Sequence, residues 1–416
     1  MTSAVLSIGT ELTRGEIANT NATWLCEELT LIGHEVTEAV VVPDDRDEIR
    51  RTLERLAAKH GVIVSTGGLG PTTDDITNEC VAAALGVALE RDVASLEAIA
   101  ARMARFGRTI TPSNAKQADF PSGATILPNP NGTAPGFAVN IGGHCRAFFM
   151  PGVPAEMKPM FANHVAPDLR MLVTGGSYQV RLRTFGMPES AVNDRLAGVE
   201  AAHRVIIGYR AHFPEIEVKL LARASTQQEA KRISIAAAEV AKSRLGDVVY
   251  GEGSVDFAES VGSLFRERNL TMAAAESCTG GLVAQLITEH PGASEFFRGS
   301  IVAYDDSVKT AVLGVPATLV ASRGAVSTEV TRAMAEGARR ALGVDVALAI
   351  TGLAGPGGTT PAKPVGEVHL AVATADGTTD RQLSFPSSRS QVRLLAAYAG
   401  LSLVRRVVLH GHGGDQ

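Results

Sequence analysis

Over the first 170 residues, apolar positions alternate between short β-branched runs and segments with helical spacing, the signature of a parallel α/β sheet. Val5 to Ile8, Val36 to Val42 and Val62 to Ser65 read as strands. Between the last two, Ile49, Leu53, Leu56 and Ala57 recur at helical spacing behind the capping candidates Asp44 and Asp45, so a βαβ crossover is expected. From about 171 to 253 the rhythm changes. Val180, Leu182 and Thr184 alternate, as do Ile216, Val218, Leu220 and Ala222, with helical patterns over Glu189 to Leu196 and Gln227 to Arg244 and a short run from Val248 to Tyr250. A small α+β module with helices on one face of an open sheet is expected. Gly251-Glu252-Gly253-Ser254 reads as a linker into a third, α/β region whose tail beyond about residue 408 is expected to fray. The organisation read from the pattern is therefore 1–170, 171–253 and 254–416.

Length agrees, since 416 residues fit two or three cores better than one. With 45% hydrophobic, 20% charged and 5% aromatic residues the chain is globular. The net charge of -5 comes without a basic run, which argues against direct nucleic-acid contact. No stretch has the length of a membrane span, and Met1 leads into the strand-like Ala4 to Ile8 without a signal peptide, so no membrane contact and a cytoplasmic location are expected. Cys26, Cys80, Cys145 and Cys278 have no CxxC spacing, and core positions or reduced thiols are expected rather than disulfides or a structural metal.

The strand Val62 to Ser65 runs into Thr66-Gly67-Gly68-Leu69-Gly70-Pro71-Thr72-Thr73-Asp74-Asp75, succeeded by a helical pattern from Ile76 to Leu85. A glycine-rich turn between strand and helix lets backbone amides approach a phosphate and adds the positive end of the helix dipole. Two aspartates repel a bare phosphate, so they make sense as ligands to a hard cation or as partners of ribose hydroxyls; the alternative is that Asp74 or Asp75 caps the helix. Gly9-Thr10-Glu11, Gly15, Asn19-Thr20-Asn21, Asn131-Gly132-Thr133-Ala134-Pro135-Gly136 and Pro151 to Glu156 are further polar, glycine-bearing loops, which gather at the carboxyl edge of such sheets.

In the last region the apolar strand Thr271 to Ala275 leads into Glu276-Ser277-Cys278-Thr279-Gly280-Gly281 and the helical positions Leu282, Val283, Leu286 and Ile287. A serine at such a turn exposes its hydroxyl while the next amides face a developing oxyanion; the alternative is that Ser277 or Thr279 caps the helix. No nearby histidine serves as base. Lys309 is the candidate, at a strand–helix junction where lost hydration lowers a lysine pKa, with Tyr304 to orient or relay; a solvated helix residue is the alternative. Ala349 to Gly358 can offer backbone donors, Lys363 to Val368 opens the next strand, and Arg389 and Arg393 can hold a phosphate or remain solvated.

These loops together resemble the N-terminal molybdopterin-binding-like domain of the competence/damage-inducible CinA family, over nearly the whole first region. The resemblance implies a three-layer fold, binding of ADP-ribose at Thr66, Gly67, Gly68, Gly70 and Thr133, and in some members a pyrophosphatase yielding AMP and ribose 5-phosphate with a divalent cation at Asp74, Asp75 or Glu11. The third region resembles the nicotinamide mononucleotide deamidase family that forms the C-terminal domain of CinA proteins. It matches in four motifs: Glu276 to Gly281, Tyr304 with Lys309, Thr351-Gly352-Leu353-Ala354-Gly355-Pro356, and Lys363-Pro364-Val365-Gly366. This second resemblance implies cofactor-free hydrolysis of the nicotinamide mononucleotide carboxamide to nicotinate mononucleotide and ammonia, with Ser277 as nucleophile and Lys309 as base. Thr279, Gly280, Gly281, Ser300, Thr351, Gly352, Gly355, Arg389 and Arg393 would surround the substrate. One departure is visible: Asp306 stands where the family usually has Asn, and a carboxylate there favours the proton on Lys309. The middle module resembles a KH-type domain with a packing role, and a homodimer is implied. Two other readings are a non-catalytic, nucleotide-binding regulator linked to DNA uptake or recombination, and a molybdopterin-handling protein.

Overall fold

The computed structural model describes residues 2–357 and 364–412; Gly358 and Lys363 of the expected motifs lie outside the described residues. The N-terminal sheet contains β1 (Thr2–Ile8), β2 (Glu35–Val42) and β3 (Val62–Thr66). A two-stranded excursion, β4 (Leu89–Arg91) and β5 (Asp119–Pro121), precedes β6 (Thr125–Leu127), β7 (Gly136–Ile141) and β8 (Cys145–Met150). The strand order is β2-β1-β3-β8-β7-β6. The first four of these are parallel; β7 runs antiparallel to β8, and β6 antiparallel to β7. The expected parallel sheet carries one reversed strand, set by a tight connection: Gly142 and Gly143, at φ 58° and 74°, turn β7 straight back into β8, which only antiparallel strands allow.

Alternation along β1 feeds two cores. Ala4, Leu6 and Ile8 pack with Ile49, Leu53, Leu56 and Val81 on one face, and Val5 packs with Leu25, Leu29, Phe148 and Phe161 on the other, giving a three-layer α/β/α domain. The crossover helix Arg46–Lys59 is capped by Asp45, which accepts from the Asp47 and Glu48 amides at 3.0 Å each. Asp44 does not cap it. Its carboxylate accepts instead from the amide and hydroxyl of Thr10, at 2.8 and 3.0 Å.

The middle module has β9 (Gly176–Thr184), β10 (Val205–His212), β11 (Glu215–Ala224) and β12 (Val249–Glu252) in the order β10-β11-β9-β12, with the helix Gln227–Leu245. Gly251 and Glu252 pair with Arg183 and Leu182, so half of the expected linker is strand. The C-terminal sheet contains β13 (Met272–Glu276), β14 (Phe297–Val302), β15 (Val346–Gly352), β16 (Glu367–Ala373) and β17 (Thr378–Ser384), ordered β14-β13-β15-β16-β17. β13 is parallel to β14 and β15, and β16 and β17 are antiparallel additions. The amphipathic helix Thr328–Leu342 covers one face through Val330, Met334 and Ala338, and the helices Phe257–Arg268 and Arg389–His410 cover the other.

By contact density the chain divides into two units, Met1–Gln179 with Ala222–Ile233, and Val180–Leu221 with Ser234–Gln416. Within the second unit Phe185 lies 5.4 Å from Phe257 and 5.3 Å from Tyr398, and Phe257 stacks on Tyr398 at 5.3 Å. Tyr250 meets Phe257 edge-on and accepts a hydrogen bond from Arg183, which also pairs with the buried Glu215. Among the described residues no helix is long and apolar enough to cross a membrane.

Candidate functional site

At the carboxyl end of β3 the chain must pass very close to β1. Gly67 sits at φ 104°, and a Cβ there would come within 1.9 Å of the Ile8 carbonyl; at Gly68, φ 65°, it would meet Thr77 Oγ1 at 2.2 Å. Thr77 fixes the turn by donating its hydroxyl to Gly67 O at 3.0 Å and its amide to Gly68 O at 3.1 Å. The helix Thr77–Leu85 begins behind Ile76 with no side-chain cap, so the reading of Asp74 or Asp75 as its cap is corrected. Asp75 faces the other way, accepting from the amide (2.9 Å) and hydroxyl of Thr72.

A cleft of about 560 Å³ opens over this turn, and the N-terminal site residues expected from the sequence all line it: Glu11, Thr66, Gly67, Gly68, Gly70, Asp74, Asp75 and Thr133. Asp44, Asn21, Gln117 and Glu156 line it as well. Asn21 and Glu156 belong to loops that the glycine pattern pointed to. Gln117 carries no such mark, because it enters from the β4–β5 excursion, where its amide donates to Leu69 O at 3.3 Å and nothing in the local pattern distinguishes it. Among the described residues no three carboxylate, imidazole or thiol groups are close enough to form a ready-made metal cluster. The donors at the cleft are carboxylate oxygens, which fit a small hard cation that takes one or two carboxylates and completes its shell with phosphate oxygens and water.

The C-terminal candidates gather at one edge of the sheet. Glu276 pairs with Val302 and Ile350, so Ser277, Tyr304 and Gly352 all leave adjacent strand ends. Glu276 is wholly buried. Its carboxylate accepts from the amides of Gly281 (2.9 Å), Val283 (3.0 Å) and Ala284 (3.1 Å) and from the Ser300 hydroxyl (2.8 Å). It thereby satisfies the open N-terminus of the helix Leu282–Thr288 from behind. The capping alternative for Ser277 and Thr279 is thus corrected. Among the described residues the Ser277 hydroxyl makes no hydrogen bond, and the amides of Cys278 and Thr279 have no acceptor. The neighbouring Cys278 thiol is pushed up to about 12 by burial, which leaves it protonated at neutral pH.

Lys309, expected either as a base or as a solvated residue, is only 1% exposed. Its Nζ donates to Asp306 Oδ1 at 3.0 Å and to Tyr304 O at 3.3 Å, and is not hydrogen-bonded to Ser277. Asp305 caps the short helix Asp306–Ala311, which carries Lys309, by accepting from Ser307. Tyr304 is 60% exposed, and its hydroxyl accepts from Arg389 Nη2 at 3.1 Å. Arg389 also holds Gly355 O at 2.5 Å, while Arg393 chelates Thr279 O at 2.6 and 3.2 Å. The two arginines therefore tie the serine turn, the Tyr304 segment and the Gly355 loop together.

Several residues expected to surround substrate also have partners within the scaffold. The Ser300 hydroxyl is engaged by Glu276. Thr351 is fully buried and hydrogen-bonded at 2.7 Å to Thr331, whose hydroxyl donates to Ser327 O. The Gly280 and Gly281 amides are held by Ser277 O and Glu276, the Gly355 carbonyl is held by Arg389, and Gly352 packs on Glu367 O, which a Cβ would approach to 2.7 Å.

Three family models match consecutive stretches of the chain: a probable molybdopterin binding domain over residues 4–171, a damage-inducible protein CinA KH domain over 179–251, and the CinA C-terminal domain over 255–408. A CinA-like protein of Anaeromyxobacter dehalogenans is 42% identical over 410 residues, covering 96% of this chain and 98% of its own. One from Geobacter sulfurreducens is 42% identical over 410 residues, covering 98% and 99%. Among solved structures, the protein CinA of Thermoplasma acidophilum is 35% identical over 40% of this chain and 97% of its own, with a TM-score of 0.38. The tungsten cofactor synthesizing protein MoaB of Pyrococcus furiosus is 20% identical over 41% of this chain and 94% of its own, with a TM-score of 0.29.

Proposed function

The chain belongs to the CinA family, and from that premise we propose that its C-terminal domain hydrolyses the carboxamide of nicotinamide mononucleotide, with a metal-dependent ADP-ribose pyrophosphatase in its N-terminal domain. The observation that carries the first activity is the buried Glu276, which takes over the helix terminus and leaves the Ser277 hydroxyl disengaged at the sheet edge where Lys309 is buried.

In this reading Ser277 Oγ attacks the carboxamide carbon and Lys309 receives the hydroxyl proton. The Cys278 and Thr279 amides are the donors that face the oxyanion. The proton then passes to the departing nitrogen, the C–N bond breaks and ammonia leaves. Water hydrolyses the resulting ester, restoring the serine proton and releasing nicotinate mononucleotide. Lys309 Nζ donates to Asp306 and must leave that bond to reach the serine, and Tyr304 and Arg389, joined at 3.1 Å, would contact the nucleotide's polar groups.

In the N-terminal cleft the turn amides beyond Gly67, whose own amide donates to Met150 O at 3.0 Å, would meet the diphosphate, and Glu11, Asp74 and Asp75 would hold the cation. When bound there, a cation would neutralise the diphosphate and activate the attacking water. Asp75 also keeps Thr72 in place, so it both lines the cleft and shapes its rim. Separate incubations with nicotinamide mononucleotide and with ADP-ribose, read as ammonia and as AMP, test the two halves independently. No ammonia from the first would end the amidohydrolase reading, and no AMP from the second the pyrophosphatase reading.

A further inference from the structure

At the edge of the C-terminal sheet away from Ser277 lies a pocket of about 370 Å³. Val346, which lines it, starts β15, and Gly352 ends that strand on the side of the serine turn. At roughly 3.3 Å per residue the two places are about 20 Å apart. The helices Phe257–Arg268, Thr328–Leu342 and Arg389–His410 all bring their last turns to this pocket.

Arg268 and Arg339 stand in the last turns of the first two helices and line the pocket together. A basic residue at such a place complements the helix terminus, and each spends one nitrogen on a carbonyl: Arg268 Nη1 donates to Val408 O, and Arg339 Nε to Asp345 O at 3.2 Å. Among the described residues neither arginine forms a salt bridge, so two guanidinium forks from separate helices keep donors for a ligand. Leu270, Val407, Val408 and Leu409 give the pocket an apolar wall. The turn between β16 and β17 supplies another side, fastened by His412, whose ring nitrogens bond to the hydroxyls of Thr374 at 2.5 Å and Thr379 at 2.7 Å. Asp345 and Asp376 line it as well, and Asp345 accepts from the amide (2.8 Å) and hydroxyl (2.7 Å) of Thr271.

These charges discriminate between ligands. A guanidinium fork matches the two oxygens of a carboxylate. The two aspartates offset the arginines, so a phosphate dianion gains little net attraction, whereas a monoanion keeps its forked hydrogen bonds and meets less repulsion. An apolar wall beside the forks favours a flat hydrocarbon body over a sugar. We propose that this pocket binds a small aromatic carboxylate, at a site separate from the Ser277 machinery.

Titration calorimetry of the full chain with benzoate and with phenyl phosphate tests the proposal. Benzoate should bind, and more tightly than phenyl phosphate. Arg268→Met and Arg339→Met should each weaken benzoate by about tenfold or more, the loss of a charge-assisted pair. Ala375 is exposed in the β16–β17 turn and lines the pocket, so Ala375→Trp fills it with both arginines in place and should abolish binding; this variant carries the test if an arginine variant folds poorly. Arg393→Met, at the other end of the sheet, should leave benzoate affinity unchanged. Absence of benzoate binding by the unaltered protein would overturn the proposal, as would affinity that survives both arginine changes or Ala375→Trp. Tighter binding of phenyl phosphate would overturn the carboxylate assignment. Loss of benzoate binding in Arg393→Met with retention in Arg268→Met would put the ligand at the serine turn and overturn the separate site.

Discussion

Lys309 Nζ lies 3.0 Å from Asp306 Oδ1, one member of the pair being buried and the other half exposed to solvent. A carboxylate at that distance holds the amine in a charge-assisted hydrogen bond that Nζ must leave to reach the serine. Asp306→Asn keeps an acceptor but removes its charge, so ammonia release from nicotinamide mononucleotide should rise severalfold. An unchanged or lower rate would show that the Asp306 bond does not restrain Lys309 in the proton transfer.

Ser277→Ala and Lys309→Met should each abolish ammonia release, and the double variant should be scarcely worse than either, because nucleophile and base act as a unit. Neither change breaks the helix terminus, which Glu276 holds, so Ser277→Ala should shift stability by no more than about 1 kcal/mol in urea denaturation. Substantial ammonia release from Ser277→Ala would end the covalent mechanism.

Glu276→Gln is the complementary case. The carboxylate accepts four hydrogen bonds in a buried site, and an amide has one oxygen to offer and two donors that face other donors. A loss of about 1–3 kcal/mol is expected, with ammonia release falling as the serine turn loosens. A variant as stable as the parent would mean that water replaces the missing acceptor at no cost.

Chelation should silence ADP-ribose hydrolysis and leave amide hydrolysis nearly unchanged, since only the diphosphate needs its charge neutralised. Asp75→Asn should weaken the first activity alone. Equal loss of both activities under chelator would contradict the assignment of separate chemistries.

Acid should act on Glu38, whose hydrogen bonds from Arg55, His60 and Lys59 hold its carboxyl down at about 2. With the folded value below the unfolded one, this contribution is present above the ordinary carboxylate range and is lost as pH falls through the folded value. Glu38→Gln should therefore lower the melting temperature at pH 7 and narrow its gap from the parent between pH 4.5 and pH 2. A constant gap across that window would show that the pairing contributes nothing through its charge.

How far the sequence could be read depended on the range of the contacts. The βαβ crossover, its Asp45 cap and the turn at Gly67–Gly68 are local patterns, and they appear where spacing and turn chemistry put them. The antiparallel strands β6 and β7 are short and at the sheet edge, so they carry little periodicity to read. At the C-terminal site the serine turn was legible, but the group that caps the next helix was not. Capping is usually sought at the residue beside the helix, whereas Glu276 reaches it from the end of β13. Thr351 looked available because its partner, Thr331, is 20 residues away on another element. Distant side-chain pairs of this kind leave no trace in local spacing.

The aromatic group of Phe185, Tyr250, Phe257 and Tyr398 has a consequence for dissection of the chain. A fragment cut at Ser254 would keep Phe257 and Tyr398 while losing the rings that cover them, and it would strand Glu215 and Arg183 on the discarded piece. On heating, these parts should melt in one cooperative transition, with amide exchange in β9 and in the helix Arg389–His410 protected by the same opening event. The natural place for a protease or an engineer to divide this half of the molecule is therefore not the glycine-bearing stretch before Ser254, despite its composition.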